Sequence, residues 1–169
     1  SHRAKKPLQQ IKTLINLINE LLELPEGYKV AIVPGSDTGA FELLMWSLLG
    51  KNETTMLVWE SFGKDWAEDA VDQLKLEQCK VVQVDYGCLP KLNEVSKSSD
   101  ICFTWNGTTS GARVPNANWI ESNDERLVLC DATSAVFSQE LDWEKLDAVS
   151  FSWQKVLGGE GGHGVIVLS

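Results

Sequence analysis

Between residues 8 and 22 the apolar side chains Leu8, Ile11, Leu14, Ile15, Leu17, Ile18, Leu21 and Leu22 recur at helical spacing, with partners three or four residues apart throughout. That is the spacing of one face of an amphipathic helix, and Pro25-Glu26-Gly27 stops it. Beyond that point the period changes. Residues 30–33 form a short apolar run of strand type, Pro34-Gly35-Ser36-Asp37-Thr38-Gly39 reads as a tight turn, and residues 40–49 read as a helix. The alternation continues with a strand over 56–59, a helix over 65–76 and a strand over 80–84. Further strands are expected over 101–105, 127–130, 148–153 and 165–168. Short, nearly all-apolar runs separated by helices or loops predict strands buried on both faces. The fold class expected is therefore α/β, three-layer α/β/α, with a mostly parallel seven-stranded sheet. With 169 residues and no repeat, low-complexity tract or linker, the chain is read as a single domain over 1–169.

Such sheets bind ligands beyond the carboxyl ends of their strands, and the unusual residues of this chain fall there. In Ser150-Phe151-Ser152-Trp153-Gln154-Lys155 a lysine sits just past an apolar strand, ahead of the glycine cluster between Gly158 and Gly164. An amine held there beside a carbonyl forms a Schiff base, although a lysine at a strand end is commonly just a solvated residue. Asp131 changes that balance. It closes the run Arg126-Leu127-Val128-Leu129-Cys130-Asp131, about two dozen residues upstream. An aspartate that keeps a pyridine nitrogen protonated, followed by a lysine that carries an aldehyde, is the pair a pyridoxal 5'-phosphate site needs.

Three other loops fit the same ligand. Gly35-Ser36-Asp37-Thr38-Gly39-Ala40 offers N–H groups, hydroxyls and a helix dipole to an anion, or else is a turn capped by Ser36 or Asp37. It is no nucleotide P-loop, since no Gly-Lys-Ser/Thr follows. The later glycine cluster precedes a strand and so does not match a dinucleotide fingerprint. Phe62 can stack on a flat ring or pack in the core, and Thr108 can meet a ring oxygen or satisfy nearby backbone. Five such loops, in the order phosphate cup, stacker, hydroxyl, aspartate and lysine, are not explained by packing.

Composition narrows the alternatives. The net charge is −9 and no run of Lys or Arg occurs, which removes charge-driven binding to nucleic acid or anionic membrane and makes any phosphate site local. No segment has the length of a membrane span, and the polar start Ser1-His2-Arg3-Ala4-Lys5-Lys6 lacks the apolar core of a secretory signal. Cys79, Cys88, Cys102 and Cys130 form no C-x-x-C pair, and His2 and His163 are too isolated to build a metal site. A cytoplasmic protein with reduced thiols is expected, in which the sequons Asn52-Glu53-Thr54 and Asn106-Gly107-Thr108 occur by chance.

The ordered set Gly35-Ser36-Asp37-Thr38-Gly39, Ser61-Phe62-Gly63, Asn106-Gly107-Thr108, Asp131-Ala132-Thr133 and Ser152-Trp153-Gln154-Lys155 resembles the class V, fold-type I aminotransferases. Within that class it is similar to the phosphoserine aminotransferases, down to Ser1-His2-Arg3. The resemblance implies catalytic roles for Lys155, as Schiff-base lysine and proton shuttle, and for Asp131, as partner of the pyridine nitrogen. It implies that Phe62 stacks on the ring, that Thr108 touches its phenolic oxygen, and that Asp37, Thr38 and Gln154 hold the cofactor phosphate, the first two through main-chain N–H. His2 and Arg3 match a pair that grips the substrate phosphate, often across a homodimer interface. The implied reaction is transamination between O-phospho-L-serine/3-phosphohydroxypyruvate and glutamate/2-oxoglutarate, a step in serine biosynthesis. Serine, alanine or glyoxylate as substrates, or a non-catalytic α/β binding module, are the alternatives. Two departures stand out. Thr38 occupies a position where many members carry arginine, and members are about twice as long, so the chain looks like the large cofactor-binding domain without the arm and small domain, where the arginine for the substrate carboxylate is expected.

Overall fold

The computed structural model describes residues 2–122 and 125–169. The predicted first helix is α1 (Lys5–Leu21), whose proline, Pro7, lies in the first turn where its missing N–H costs no bond. Glu23, at φ 50°, takes the chain out of the helix. β1 (Lys29–Pro34) leads through Gly35 into α2 (Ser36–Leu48), and β2 (Thr54–Val58) leads into α3 (Ser61–Glu68). β3 (Cys79–Gln83), β4 (Asp100–Thr104), β5 (Val128–Asp131), β6 (Ala148–Ser152) and β7 (His163–Leu168) complete a seven-stranded sheet. Its order is β1-β7-β6-β5-β4-β2-β3.

The sheet is mostly parallel, as expected, with one strand reversed. β2 pairs in parallel with β3 and β4, β4 with β5, and β5 with β6, whereas β7 is antiparallel to both β6 and β1. The reason is length. Between Ser152 and His163 lie only the glycine-rich residues 153–162, too few for the helical crossover that a parallel return requires. Six strands therefore point their carboxyl ends to the same edge, and β7 brings its first residues there from the opposite direction.

Burial follows the order of the sheet. Every residue of β2, β4, β5 and β6 is buried, while the edge strand β3 is largely exposed or half-buried. On one face Ala40, Phe41, Leu44 and Met45 of α2 and Trp66 and Ala67 of α3 pack on Met56, Val58, Cys102, Leu129, Ala148 and Ile166. On the other face Ile18 and Leu22 meet Leu57, Trp59, Phe103, Val149, Phe151 and Val167, together with residues from the long connections around 105–120 and 132–146. The third layer is thus one helix and two irregular segments, not a row of helices. Aromatic contacts knit it together, with Phe103 edge-on to Trp119 at 5.3 Å and Phe137 edge-on to Phe151 at 5.8 Å.

The helix expected over 65–76 differs in both bounds. The Glu60 carboxylate accepts the Gly63 N–H at 2.6 Å and caps the helix at Ser61, earlier than the apolar pattern begins. At the other end the coil widens into a π-helical turn, Asp69–Gln73. Among the described residues no helix is long and apolar enough to cross a membrane.

Candidate functional site

The carboxyl ends of β1, β2, β4, β5 and β6 surround a small cleft of about 60 Å³. Its walls include Asp37, Thr38, Phe62, Thr108, Asp131, Gln154 and Lys155, so all seven cofactor-site residues expected from sequence converge there. Ser36, Trp66 and Thr133 join them. A roomier groove between the end of α1 and residues 137–144 has the carboxylates Glu23, Glu140, Asp142 and Glu144 but no cation in its lining, and none of these residues. The residues singled out from sequence line the smaller cleft.

At the phosphate-cup end, the turn before α2 is built by backbone strain and close approach. Gly35 and Ser36 have φ of 88° and 61°. A Cβ on Gly39 would lie 2.6 Å from the Pro34 carbonyl oxygen, and one on Gly164 would lie 2.2 Å from that of Ser36. Only glycine lets β7 run this close beneath the start of α2. The helix N-cap is Gly35, and no side chain caps it, contrary to the alternative of a turn capped by Ser36 or Asp37. The first N–H groups of a thirteen-residue helix are thereby left for an anion. Beside them the Ser152 hydroxyl donates to Gln154 Oε1, which holds the Gln154 side chain against the cup. Gly161 also approaches it, since an added Cβ there would lie 3.4 Å from Ser36 Oγ and 3.5 Å from Gln154 Cδ.

At the opposite end Asp131 is 8% exposed. Its Oδ1 accepts the Thr133 N–H at 3.0 Å and its Oδ2 the Trp66 indole N–H at 3.3 Å. Each carboxylate oxygen has a second lone pair, so a ring N–H can still be accepted. Phe62, 40% exposed, presents its ring to the cleft from the first turn of α3, and Trp66 follows one turn later on the same helix. Thr108 shares a short hydroxyl–hydroxyl hydrogen bond with Ser134, tying the loop after β4 to the loop after β5. Lys155 and Gln154 are exposed at the mouth, in a turn closed by the Gly159 N–H on the Trp153 carbonyl at 2.9 Å.

Several contributors were not foreseen. Glu60 is 3% exposed; besides capping α3 it accepts the Thr109 hydroxyl at 3.2 Å, bracing the Phe62 loop against the Thr108 loop. Its signal was a carboxylate three residues before Gly63, a capping spacing. Trp66 was legible as the residue one helical turn after Phe62, and Thr133 as the second residue after Asp131. The Asp37 side chain turns away from solvent and is 6% exposed. Burial pushes its carboxyl well above the ordinary range, and the neighbouring Asp131 adds to the rise. His2 and Arg3 are exposed in the turn before α1 and are not part of the cleft lining.

The residues fit pyridoxal 5'-phosphate. The helix N-terminus suits a phosphate, and the half-exposed phenyl ring suits a flat heterocycle. The buried carboxylate suits a pyridinium.

No family model matches the chain. The curated phosphoserine aminotransferase of Methanosarcina barkeri is 52% identical over all 169 residues. Over its whole length the chain is similar to phosphoserine aminotransferases. It spans about half the length of the curated relatives it matches, 46% in the M. barkeri case. Among solved structures, the phosphoserine aminotransferase of Cytophaga hutchinsonii superposes with a TM-score of 0.87 at 28% identity, covering 100% of this chain and 47% of its own. The PLP-bound phosphoserine aminotransferase of Trichomonas vaginalis has the same fold, with a TM-score of 0.78 at 19% identity over 99% of this chain and 48% of its own. The seven-stranded, mostly parallel sheet of this chain superposes on part of the C. hutchinsonii structure.

Proposed function

We propose that the chain is the cofactor-binding domain of a pyridoxal phosphate-dependent phosphoserine aminotransferase. The reaction moves an amino group between O-phospho-L-serine/3-phosphohydroxypyruvate and glutamate/2-oxoglutarate. The observation that carries this reading is the convergence of Lys155, Asp131, Phe62, Thr108 and the uncapped start of α2 on one cleft, in a chain 52% identical to a phosphoserine aminotransferase. When bound, pyridoxal phosphate supplies an aldehyde for an amine and a protonated ring that takes up the electron pair left at the substrate Cα.

The side chains divide the work. The N–H groups of Asp37 and Thr38 and the Gln154 amide hold the phosphate, with the helix dipole in place of the arginine that many relatives carry at the Thr38 position. Asp131 would hold the proton on the ring nitrogen, and the Thr133 and Trp66 N–H groups that donate to it fix its carboxylate in position. Phe62 would cover one ring face, and the Thr108 hydroxyl would meet the phenolic oxygen. Lys155, exposed at the mouth, is the amine that would take the cofactor aldehyde, with release of water, and would afterwards carry the proton at the substrate Cα. His2 and Arg3 serve the substrate phosphate of a second copy, which makes the working unit a homodimer; guanidinium suits a phosphate dianion through paired hydrogen bonds. The location is cytoplasmic, in keeping with four cysteines that form no disulfide among the described residues.

Borohydride reduction of the intact protein with added pyridoxal phosphate tests the core of this reading, because it turns an imine into a stable secondary amine. The label is expected on the peptide containing Lys155, and none is expected in Lys155→Ala. Label mainly on Lys64, Lys75 or Lys91 would overturn the assignment.

A further inference from the structure

Beneath the cleft lies a buried group that the transamination chemistry does not use. The Asp37 carboxyl points inward from the first turn of α2, and the Asp131 carboxylate and the hydroxyls of Ser150 and Thr133 lie against it. Asp37 Oδ1 is buried without an aligned hydrogen-bond partner, and so are Ser150 Oγ and Thr133 Oγ1. Two carboxylates in contact and nine-tenths buried do not both ionise, because the second charge is opposed by desolvation and by the first.

The surroundings decide which oxygen keeps the charge. Asp131 receives two N–H donors, the Thr133 backbone and the Trp66 indole, which stabilise an anion. Asp37 receives no N–H at its Oδ1; the hydroxyls of Ser150 and Thr133 beside it favour its anion, but less than burial and Asp131 oppose it. The position of Asp37 in the first helical turn favours its anion, but a helix dipole acting on one side chain is weak beside the burial of a second charge. The other titratable group that feels Asp37 is Cys130 on β5, whose thiol is pushed up mainly by burial and then by Asp131, so it supplies no countercharge. Lys155 lines the mouth of the same cleft and is solvent-exposed.

We propose that Asp37 and Asp131 share one proton, with Asp37 the neutral donor and Asp131 the charged acceptor. Asp37 is then a positioning residue: its O–H orients the Asp131 carboxylate and holds the floor of the cleft at a single negative charge, matched to one protonated ring nitrogen. That consequence rests on the cofactor reading given above, whereas the shared proton does not, so the two are tested apart.

The experiment uses the intact, cofactor-free protein. Infrared difference spectra near neutral pH are expected to show the C=O stretch of one buried, protonated carboxylic acid, lost in Asp37→Asn and shifted in Asp131→Asn, where the charged acceptor is gone. Stability against pH supplies the second readout. A carboxyl whose folded pKa is raised makes the folded state bind more protons than the unfolded one, so wild-type stability falls as pH climbs from the ordinary carboxylate range to the raised value. Across that window the folding constant of wild type is expected to fall relative to Asp37→Asn by up to about tenfold per pH unit. Asp37→Ser serves the same comparison if the Asn variant does not fold. Absence of a protonated-carboxyl band in wild type, or pH profiles of wild type and variant that run parallel, would overturn the proposal. Loss of Lys155 labelling with the band retained would instead count against the cofactor reading alone.

Discussion

Single atoms decide whether the phosphate cup exists. Gly164 is the sharpest case, because an added methyl would meet the carbonyl oxygen of Ser36 at 2.2 Å and the Ala40 side chain at 2.6 Å. Either β7 or the start of α2 must move. Gly164→Ala is expected to destabilise the protein by about 1–3 kcal/mol and to weaken pyridoxal phosphate binding as well, since the N–H groups of the cup shift with the helix. Gly162, where a Cβ meets nothing within 4 Å, is the control, and Gly162→Ala is expected to leave cofactor affinity within about threefold. Denaturant melts and an absorbance titration check both; equal effects of the two substitutions would show that close approach at Gly164 does not shape the cup.

Elements matter here through how they are started and joined. α3 begins where it does because Glu60 caps it, and the same carboxylate accepts the Thr109 hydroxyl while its stem packs where a Gly107 side chain would be, 2.5 Å from Cγ. One buried side chain thus sets the spacing between the stacking ring on α3 and the hydroxyl loop after β4. Glu60→Ala removes a cap and leaves a cavity beside Gly107, at a cost of about 1–3 kcal/mol. Glu60→Gln keeps an acceptor for Gly63 and is expected to recover most of that stability. The informative comparison is cofactor affinity per unit of stability lost. Glu60→Ala is expected to lose affinity about tenfold while a remote change of equal cost, such as Arg126→Met, does not. Arg126 braces Ser96 and Glu121 through 2.8 Å hydrogen bonds at the amino-terminal end of β5, away from the cleft.

At the scale of the whole molecule, the four fully buried central strands make the sheet the last part to open, and its thiols report on that opening. Cys102 and Cys130 lie in β4 and β5, and burial, chiefly, pushes both well above the ordinary thiol range. Cys88 is exposed and Cys79 half-buried at the edge strand. In the native protein at mildly alkaline pH a thiol reagent is expected to modify Cys88 readily. Cys102 and Cys130 should react about a thousandfold or more slowly, at the rate set by global unfolding. Mass spectrometry of the alkylated peptides separates the sites, and modification of Cys130 as fast as Cys88 would show that the centre of the sheet opens locally.

The sequence by itself determined the strand set, the first helix and the fold class, because apolar periodicity records burial and seven short apolar runs can be buried only in a covered sheet. It also exposed Lys155, Asp131, Phe62, Thr108 and the glycine-rich turn, since all of them lie at or just beyond the carboxyl ends of strands and so share one edge of any parallel sheet. Tertiary structure decided what depends on partners distant in the chain. The reversal of β7 follows from the shortness of its connection and the company of β1. The early start of α3 comes from a capping carboxylate outside the apolar pattern, and the third layer is filled by irregular segments whose polar, turn-rich composition conceals their packed side chains. Asp37 shows the division best. Its place in the turn before a helix was legible from neighbouring residues, but whether its carboxyl faces water or a second carboxylate depends on Asp131, 94 positions away in sequence, and only the folded chain brings the two charges close enough for one to be given up.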